Sequence, residues 1–274
     1  MDSKIKDMLS SLDRDNELQD KFYEFIREGM HTQAKSDTTT KNYIYSIRNL
    51  FRFRPRLELD DIDRTLVVDF FEWLDNRERQ VGNKMKSGIK KSTKKTYHIR
   101  LDTFFSWLKN NGYIAKNPFD NMKKPRVGEK CRKFLNRQEI DEVLNFMKFE
   151  KDWSNDLVKT RNIALINLAL HSGLRKNELL SLKVSDVGFE RKEMSVKKPN
   201  SKSKSGRIVP LTYGARRDLE VYMRQRQQQE TNSPFLWISN NTNERFTKHG
   251  LKHLVNKIKD KVDFNFHLHR CRYT

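Results

Sequence analysis

The chain has 274 residues, 35% of them hydrophobic and 11% aromatic, enough apolar material for one large domain or two ordinary ones. Lys and Arg outnumber Asp and Glu by 56 to 36, a net charge of +20 that favours a polyanionic partner, nucleic acid first. No stretch has the apolar length of a bilayer span, the N-terminus lacks the apolar core of a signal peptide, and Cys131 and Cys271 show neither zinc nor redox spacing, so the composition reads as that of a cytoplasmic protein with free thiols.

In chain order, the first half reads as helices. LQDKFYEFIREGM suggests one. TTTKNYIYSIRNLFRF places Tyr43, Ile44, Ile47, Leu50 and Phe51 on one helical face behind a threonine cap. TLVVDFFEWLDNR repeats the pattern with Val67, Phe70, Phe71 and Leu74, and a fourth segment gathers Tyr97, Leu101, Phe104, Phe105 and Leu108 before Gly112. Together they predict a four-helix domain over residues 16–111.

Between Lys84 and Arg100 seven basic residues occur without an acid. This run is either a solvated loop and helix face or a phosphate-contacting helix start, with Lys90, Lys91, Lys94 and Lys95 as the DNA-binding candidates. Residues 112–130, with two prolines, two glycines and a cluster of cations, read as a linker.

Beyond it, Asn136 and Glu139 have capping-box spacing, and Ile140, Val143, Leu144 and Met147 form the buried face of the helix they start. NIALINLALHSG is apolar nearly all round, so it predicts a central buried helix closed by Gly173. EMSVKK and RIVPL then predict a β-hairpin with a long basic tip, followed by a helix, the apolar run PFLWIS, and an amphipathic helix carrying Leu251, Leu254, Val255, Ile258 and Val262. The expected fold class is mainly α with a small β-hairpin or sheet (α+β), the second domain spanning 131–274. The charge is uneven: residues 1–111 carry 22 basic and 18 acidic groups, residues 112–274 carry 34 and 18.

HSGLRKNELLSLKVSDV is the most specific signal in the chain. A buried helix, a glycine stop, Arg175 on the turn and a second helix at once would hold that arginine still, its planar fork free to face phosphate oxygens or locked by Glu178. SGLRKNELLSLKVSDV, SGRIVPL and the terminal HRCRYT, in this order, resemble the catalytic domain of the tyrosine recombinase (phage integrase) family, and the helical first half resembles that family's SAM-like core-binding domain.

The resemblance implies that two arginines clamp a scissile DNA phosphate, a hairpin lysine protonates the departing 5′ oxygen, a histidine assists by hydrogen bonding and a tyrosine attacks, with no cofactor and no metal. By position Arg175 matches the first arginine and Glu178 a supporting acid. The lysine candidates are Lys197, Lys198, Lys202 and Lys204, with Lys202 and then Lys204 favoured by counting back from Pro210, and Arg207 joins the DNA-facing cations. HLHRCRYT permits two registers, His267 with Arg270 or His269 with Arg272; the second leaves Tyr273 and Thr274 in the family's pattern and is preferred.

No tyrosine of this sequence matches the nucleophile, so the catalytic domain is expected to be C-terminally incomplete. The implied function is a site-specific recombinase or integrase acting through a 3′-phosphotyrosine on double-stranded DNA, as a homotetramer on paired sites when full length. The alternative is a catalytically inactive DNA-binding fragment or competitor of a full-length recombinase.

Overall fold

Short polar side chains set most of the helix starts. Asn16, Ser36, Asp63, Asn155 and Thr212 each accept a hydrogen bond from the backbone N–H three residues on, satisfying one of the donors that a helix leaves unpaired at its start. The computed structural model describes residues 2–128, 134–197 and 206–272, the side chain of Val81 excepted. Described residues fall into two units, one up to residue 129 and one from residue 130.

The first unit contains α1 (Ser3–Ser10), α2 (Glu17–His31), α3 (Asp37–Phe53), α4 (Arg64–Asn76), a hairpin of β1 (Glu78–Val81) and β2 (Lys84–Ser87), and α5 (Lys91–Asn110). Phe22, Phe70, Phe104, Phe105, Ile44, Ile47 and Leu50 are buried at its centre. Phe22 meets Phe104 edge-on with centroids 5.3 Å apart, a geometry that adds to simple area burial. Each such side chain contributes about 1.5–3 kcal/mol of transfer free energy, more than intrinsic helix propensity supplies.

Four features differ from the sequence expectation. The domain starts before residue 16, because Ile5, Met8, Leu9 and Leu12 pack into the core. Ser36, rather than a threonine, caps α3. The stretch before α5 is a hairpin rather than a loop: Val81 pairs with Lys84, leaving a two-residue turn in which Gly82 has φ 62°. At Gly88, with φ 67°, a β-carbon would stand 2.6 Å from the Asp75 carbonyl oxygen, so only glycine fits. Finally, part of the expected linker belongs to the unit: Phe119 is buried against Phe71 and Phe105, and Tyr113, Ile114 and Met122 pack beside it.

In the second unit, α6 (Arg137–Asn145) opens with the expected capping box and runs on as a π-helical turn, Phe146–Glu150. Then come α7 (Asp156–Ser172), α8 (Lys176–Ser181), strands β3 (Val187–Gly188), β4 (Glu193–Val196) and β5 (Arg207–Pro210), α9 (Tyr213–Gln227), α10 (Lys248–Lys259) and α11 (Leu268–Cys271). The strands form one antiparallel sheet in the order β3-β4-β5. α7 is buried at every position from Arg161 to Leu170 and packs along α9. Among the described residues no helix is long and apolar enough to cross a membrane.

Buried polar groups fix the apolar run after α9. Tyr222 donates to the Leu236 carbonyl and accepts from the Ile238 N–H, Arg161 donates to the Ile238 carbonyl, and the Trp237 indole donates to the Leu179 carbonyl. Arg161 also lies 4.0 Å from the centroid of Phe246, and burial lowers its pKa to about 10, so it remains charged at neutral pH. Cys271 is buried, which pushes its thiol up to about 12 and leaves it unreactive.

His98 is a weak point in the first unit. It is 3% exposed beside Phe71 and Phe119, and neither ring nitrogen has a partner among the described residues. Burial holds its pKa below the usual 6.5, with Asp102 opposing and Lys124 reinforcing that shift. Because the folded pKa is the lower one, stability is complete above 6.5 and declines as the pH falls below it. His98→Leu is expected to flatten urea-unfolding stability between about pH 5 and pH 8 and to raise it by about 1 kcal/mol; an unchanged slope would exclude the imidazole as its origin.

Candidate active site

The turn that carries Arg175 is built by its neighbours. α7 stops at Gly173, whose φ of 61° and ψ of 19° put it in the left-handed region, and Leu174 is buried next to it. Arg175 follows in an extended conformation as the residue preceding α8. Glu178 turns back from the first turn of α8 and accepts from the Arg175 backbone N–H at 2.8 Å and from its Nη1 at 3.0 Å.

A second arginine completes this cluster. Arg207, on β5, donates from Nη1 and Nη2 to the two Glu178 carboxylate oxygens at 3.1 and 2.8 Å. The Glu178 side chain is 3% exposed, whereas Arg175 is 59% exposed. The Arg207 hydrogen bonds, followed by those from Arg175, hold the carboxyl down at about 2 against the opposing effect of burial. Two cations and one anion leave the cluster net positive, with the Arg175 side chain largely exposed.

The terminal segment approaches the same turn. α11 packs on α7, and a β-carbon placed on Gly173 would lie 3.9 Å from the carbonyl oxygen of Arg272. The two registers of HLHRCRYT separate by burial. His267 caps α11 by accepting from the Arg270 N–H at 3.1 Å. Arg270 is buried and donates to both carboxylate oxygens of Glu139 and to the carbonyls of Phe134 and Asn265. His269 is exposed and Arg272 half-buried.

The hairpin lysines are placed only in part. Lys197 extends into solvent 3.6 Å from Asp186, while Lys198, Lys202 and Lys204 lie outside the described residues. The last strand pair before them is Val196–Arg207, whose arginine belongs to the Glu178 cluster. Arg207, expected as a DNA contact, gives two donors to Glu178 and keeps 37% of its side chain exposed.

Of the first-unit candidates, Lys90, Lys91 and Lys95 are exposed at the start of α5, and Lys94 pairs with Asp75. Tyr222 is fully buried and cannot reach a ligand; Tyr213 is 83% exposed at the start of α9. Sequence reasoning missed Arg245, which lines a cavity of about 540 Å³ with Asn177, Ser181, Thr247 and Lys248. It donates to the Leu180 carbonyl and the Ser181 hydroxyl, partners 64 and 65 residues away that no local pattern reveals.

Comparison with known proteins bears on the family and the fold. The phage integrase family matches residues 133–274 and the phage integrase SAM-like domain matches residues 21–125. A tyrosine recombinase of Thermosipho africanus (strain TCF52B) is 27% identical over 181 residues, covering 66% of this chain; the chain spans 59% of that relative's length. Among solved structures, XerH site-specific recombinase bound to palindromic difH substrate superposes with a TM-score of 0.67 at 19% identity, over 98% of this chain and 80% of that one. A lambda integrase tetramer bound to a Holliday junction gives 0.66 at 16% identity, over 91% and 69%. At these identities the structures speak for the fold.

Two outcomes test the arginine assignments. Arg270→Met should destabilise the protein by about 3–5 kcal/mol, because it strands Glu139 in a largely buried place, whereas Arg272→Met should cost less than about 1 kcal/mol; equal losses in denaturant unfolding would contradict the distinction. For Glu178 the folded pKa is the depressed one, so its contribution of about 3 kcal/mol is present above the usual 4.5 and is lost as the pH falls toward 2. The stability gap between wild type and Glu178→Gln should close over that interval, and a pH-independent gap would refute the linkage.

Proposed function

The chain belongs to the phage integrase family, and from that premise we propose that it is a site-specific DNA recombinase or integrase. In this reading it binds double-stranded DNA and holds one backbone phosphate for strand cleavage and rejoining through a 3′-phosphotyrosine. The observation that carries the reading is the largely exposed Arg175 side chain, anchored by a buried Glu178 that Arg207 also grips, with the Arg272 backbone against the same turn.

The chemistry assigns each group a task. Attack by a tyrosine oxygen makes a new O–P bond, breaks the bond from phosphorus to the 5′ oxygen and needs a proton delivered to that oxygen. Arg175 and Arg272 neutralise the charge that grows on the equatorial oxygens. His269 hydrogen-bonds to one of them, and Lys202 or Lys204 gives the proton to the leaving oxygen. Glu178 is a positioning residue, since it reaches the phosphate only through Arg175.

No tyrosine of this sequence is assigned as the nucleophile; Tyr222 is excluded by burial. The proposal therefore gives this chain the phosphate-holding part of the site. Assembly as a homotetramer on paired DNA sites is part of the same proposal, as is the absence of any membrane partner. A DNA-binding chain that occupies sites without cutting would use the same cations, and the experiment below separates the two.

Duplex binding should weaken steeply with salt, with a log–log slope of about −5 or steeper, because the second half of the chain carries 34 basic against 18 acidic residues. On nicked suicide duplexes, once a nucleophilic tyrosine is supplied by a tyrosine-completed version of the chain, a covalent protein–DNA adduct should appear on a denaturing gel and vanish in Arg175→Ala, whose fold is unchanged. Binding without an adduct supports the occupying role instead, and an adduct that survives Arg175→Ala removes that residue from the site.

A further inference from the structure

We propose that the first unit contains a built site for one DNA backbone phosphate, in the notch between α3, the base of the β1–β2 hairpin and the first turns of α5. The inference rests on the DNA-binding reading above and adds a place and a set of residues to it. The notch is a cavity of about 200 Å³ lined by Asn49, Arg52, Arg77, Arg79, Thr93 and Tyr97, with Leu74 and Ile89 as its apolar floor. Three of these side chains are cationic and none is a carboxylate.

The sequence spacing shows how the fold makes this notch. Asn49 and Arg52 stand one turn apart on α3, Thr93 and Tyr97 one turn apart on α5, and Arg77 and Arg79 are on alternate positions leading into β1, so each pair shares a face. Arg77 donates from Nη1 to the Asn49 side-chain oxygen at 2.8 Å, and the Asn49 amide donates to the Tyr97 hydroxyl, also at 2.8 Å. That chain of bonds orients the wall and leaves the phenolic proton of Tyr97 available as a donor. Burial raises the phenol's pKa, so that proton is retained.

Two features remain unspent. The Arg79 Nε is buried and has no partner among the described residues, and Arg52 is exposed and takes part in no ion pair among them. A buried, unpaired guanidinium N–H costs free energy unless something fills the position. Three arginines around one cavity also repel one another. An anion with several oxygens in fixed directions answers both costs, and a tetrahedral phosphate matches the arginine fork.

The surroundings favour a phosphate that is part of a duplex. β2 is exposed at every position and carries Lys84 and Lys86, while Lys90, Lys91 and Lys95 are exposed at the start of α5, where unpaired backbone N–H groups also favour an anion. A single small anion would use none of these flanking cations; a polyanion uses them all. A two-stranded ribbon also has the width of a DNA groove.

The test uses the full chain and a random-sequence 30-bp duplex of about that length, read by fluorescence anisotropy across a salt series. Arg79→Gln and Arg52→Gln should each weaken binding by about tenfold at low salt and reduce the log–log salt slope by about one, with thermal unfolding unchanged. Unchanged affinity and slope in both variants, with wild type binding normally, would overturn the site while leaving the recombinase reading intact. Failure of wild type to bind duplex at all would overturn both. Should either glutamine variant unfold, Arg79→Lys and Arg52→Lys keep the charge and lose the fork; they are expected to retain the slope and lose affinity, and full affinity would count against the site. Inorganic phosphate provides the last arm: stabilisation of wild type but not of Arg79→Gln, without any effect of Arg79→Gln on duplex binding, would assign the notch to a free anion and refute the DNA assignment.

Discussion

Glu178 is the group on which the second unit's cationic face depends. Its carboxylate receives four hydrogen bonds from two arginines, one of them three residues away and the other 29. A carboxylate that is 3% exposed is costly to leave unpaired, and the two-point grip of Arg207 offsets that cost. The pairing ties the α7–α8 turn to the hairpin strand β5. Arg175, which gives Glu178 only one side-chain donor, is thereby aimed without being consumed.

The same economy recurs wherever arginine is buried. Arg161, Arg226 and Arg270 all donate to backbone carbonyls, fixing loops that have no regular secondary structure of their own. Guanidinium suits this role because it offers five donors in a rigid plane and tolerates partial dehydration. A net charge of +20 therefore overstates the field available to a polyanion as individual contacts: part of the positive charge serves as internal scaffolding, and the exposed lysines and arginines present the rest.

The two units show different relations between charge and structure. In the second, the cations at the α7–α8 turn are organised around a buried acid. In the first, the arginines at the base of the hairpin are organised around a neutral asparagine and a phenol, with no carboxylate in the lining. The former arrangement is partly compensated by its acid and keeps one net positive charge, and the latter has no acid at all. An unsatisfied cluster is where an added anion contributes most.

Amphipathic periodicity, caps and glycine stops were legible because they are local. The faces holding Ile44, Ile47 and Leu50, or Leu101, Phe104 and Phe105, follow from a 3.6-residue repeat, and Gly173 ends α7 because few other residues adopt its backbone angles. Arg175 was legible for the same reason, as a cation on a turn between two helices, and the motifs around it carried the family resemblance. The β1–β2 hairpin escaped because its strands are polar on both faces and show no alternation to read. The Arg207–Glu178 grip, the burial of Arg270 against Glu139 and the notch around Arg79 were decided only by tertiary structure: their partners lie 29 to 131 residues apart or on three separate elements. Whether a given arginine is a scaffold or a free charge depends on what the fold brings within about 3 Å of it, and a linear sequence carries no record of that distance.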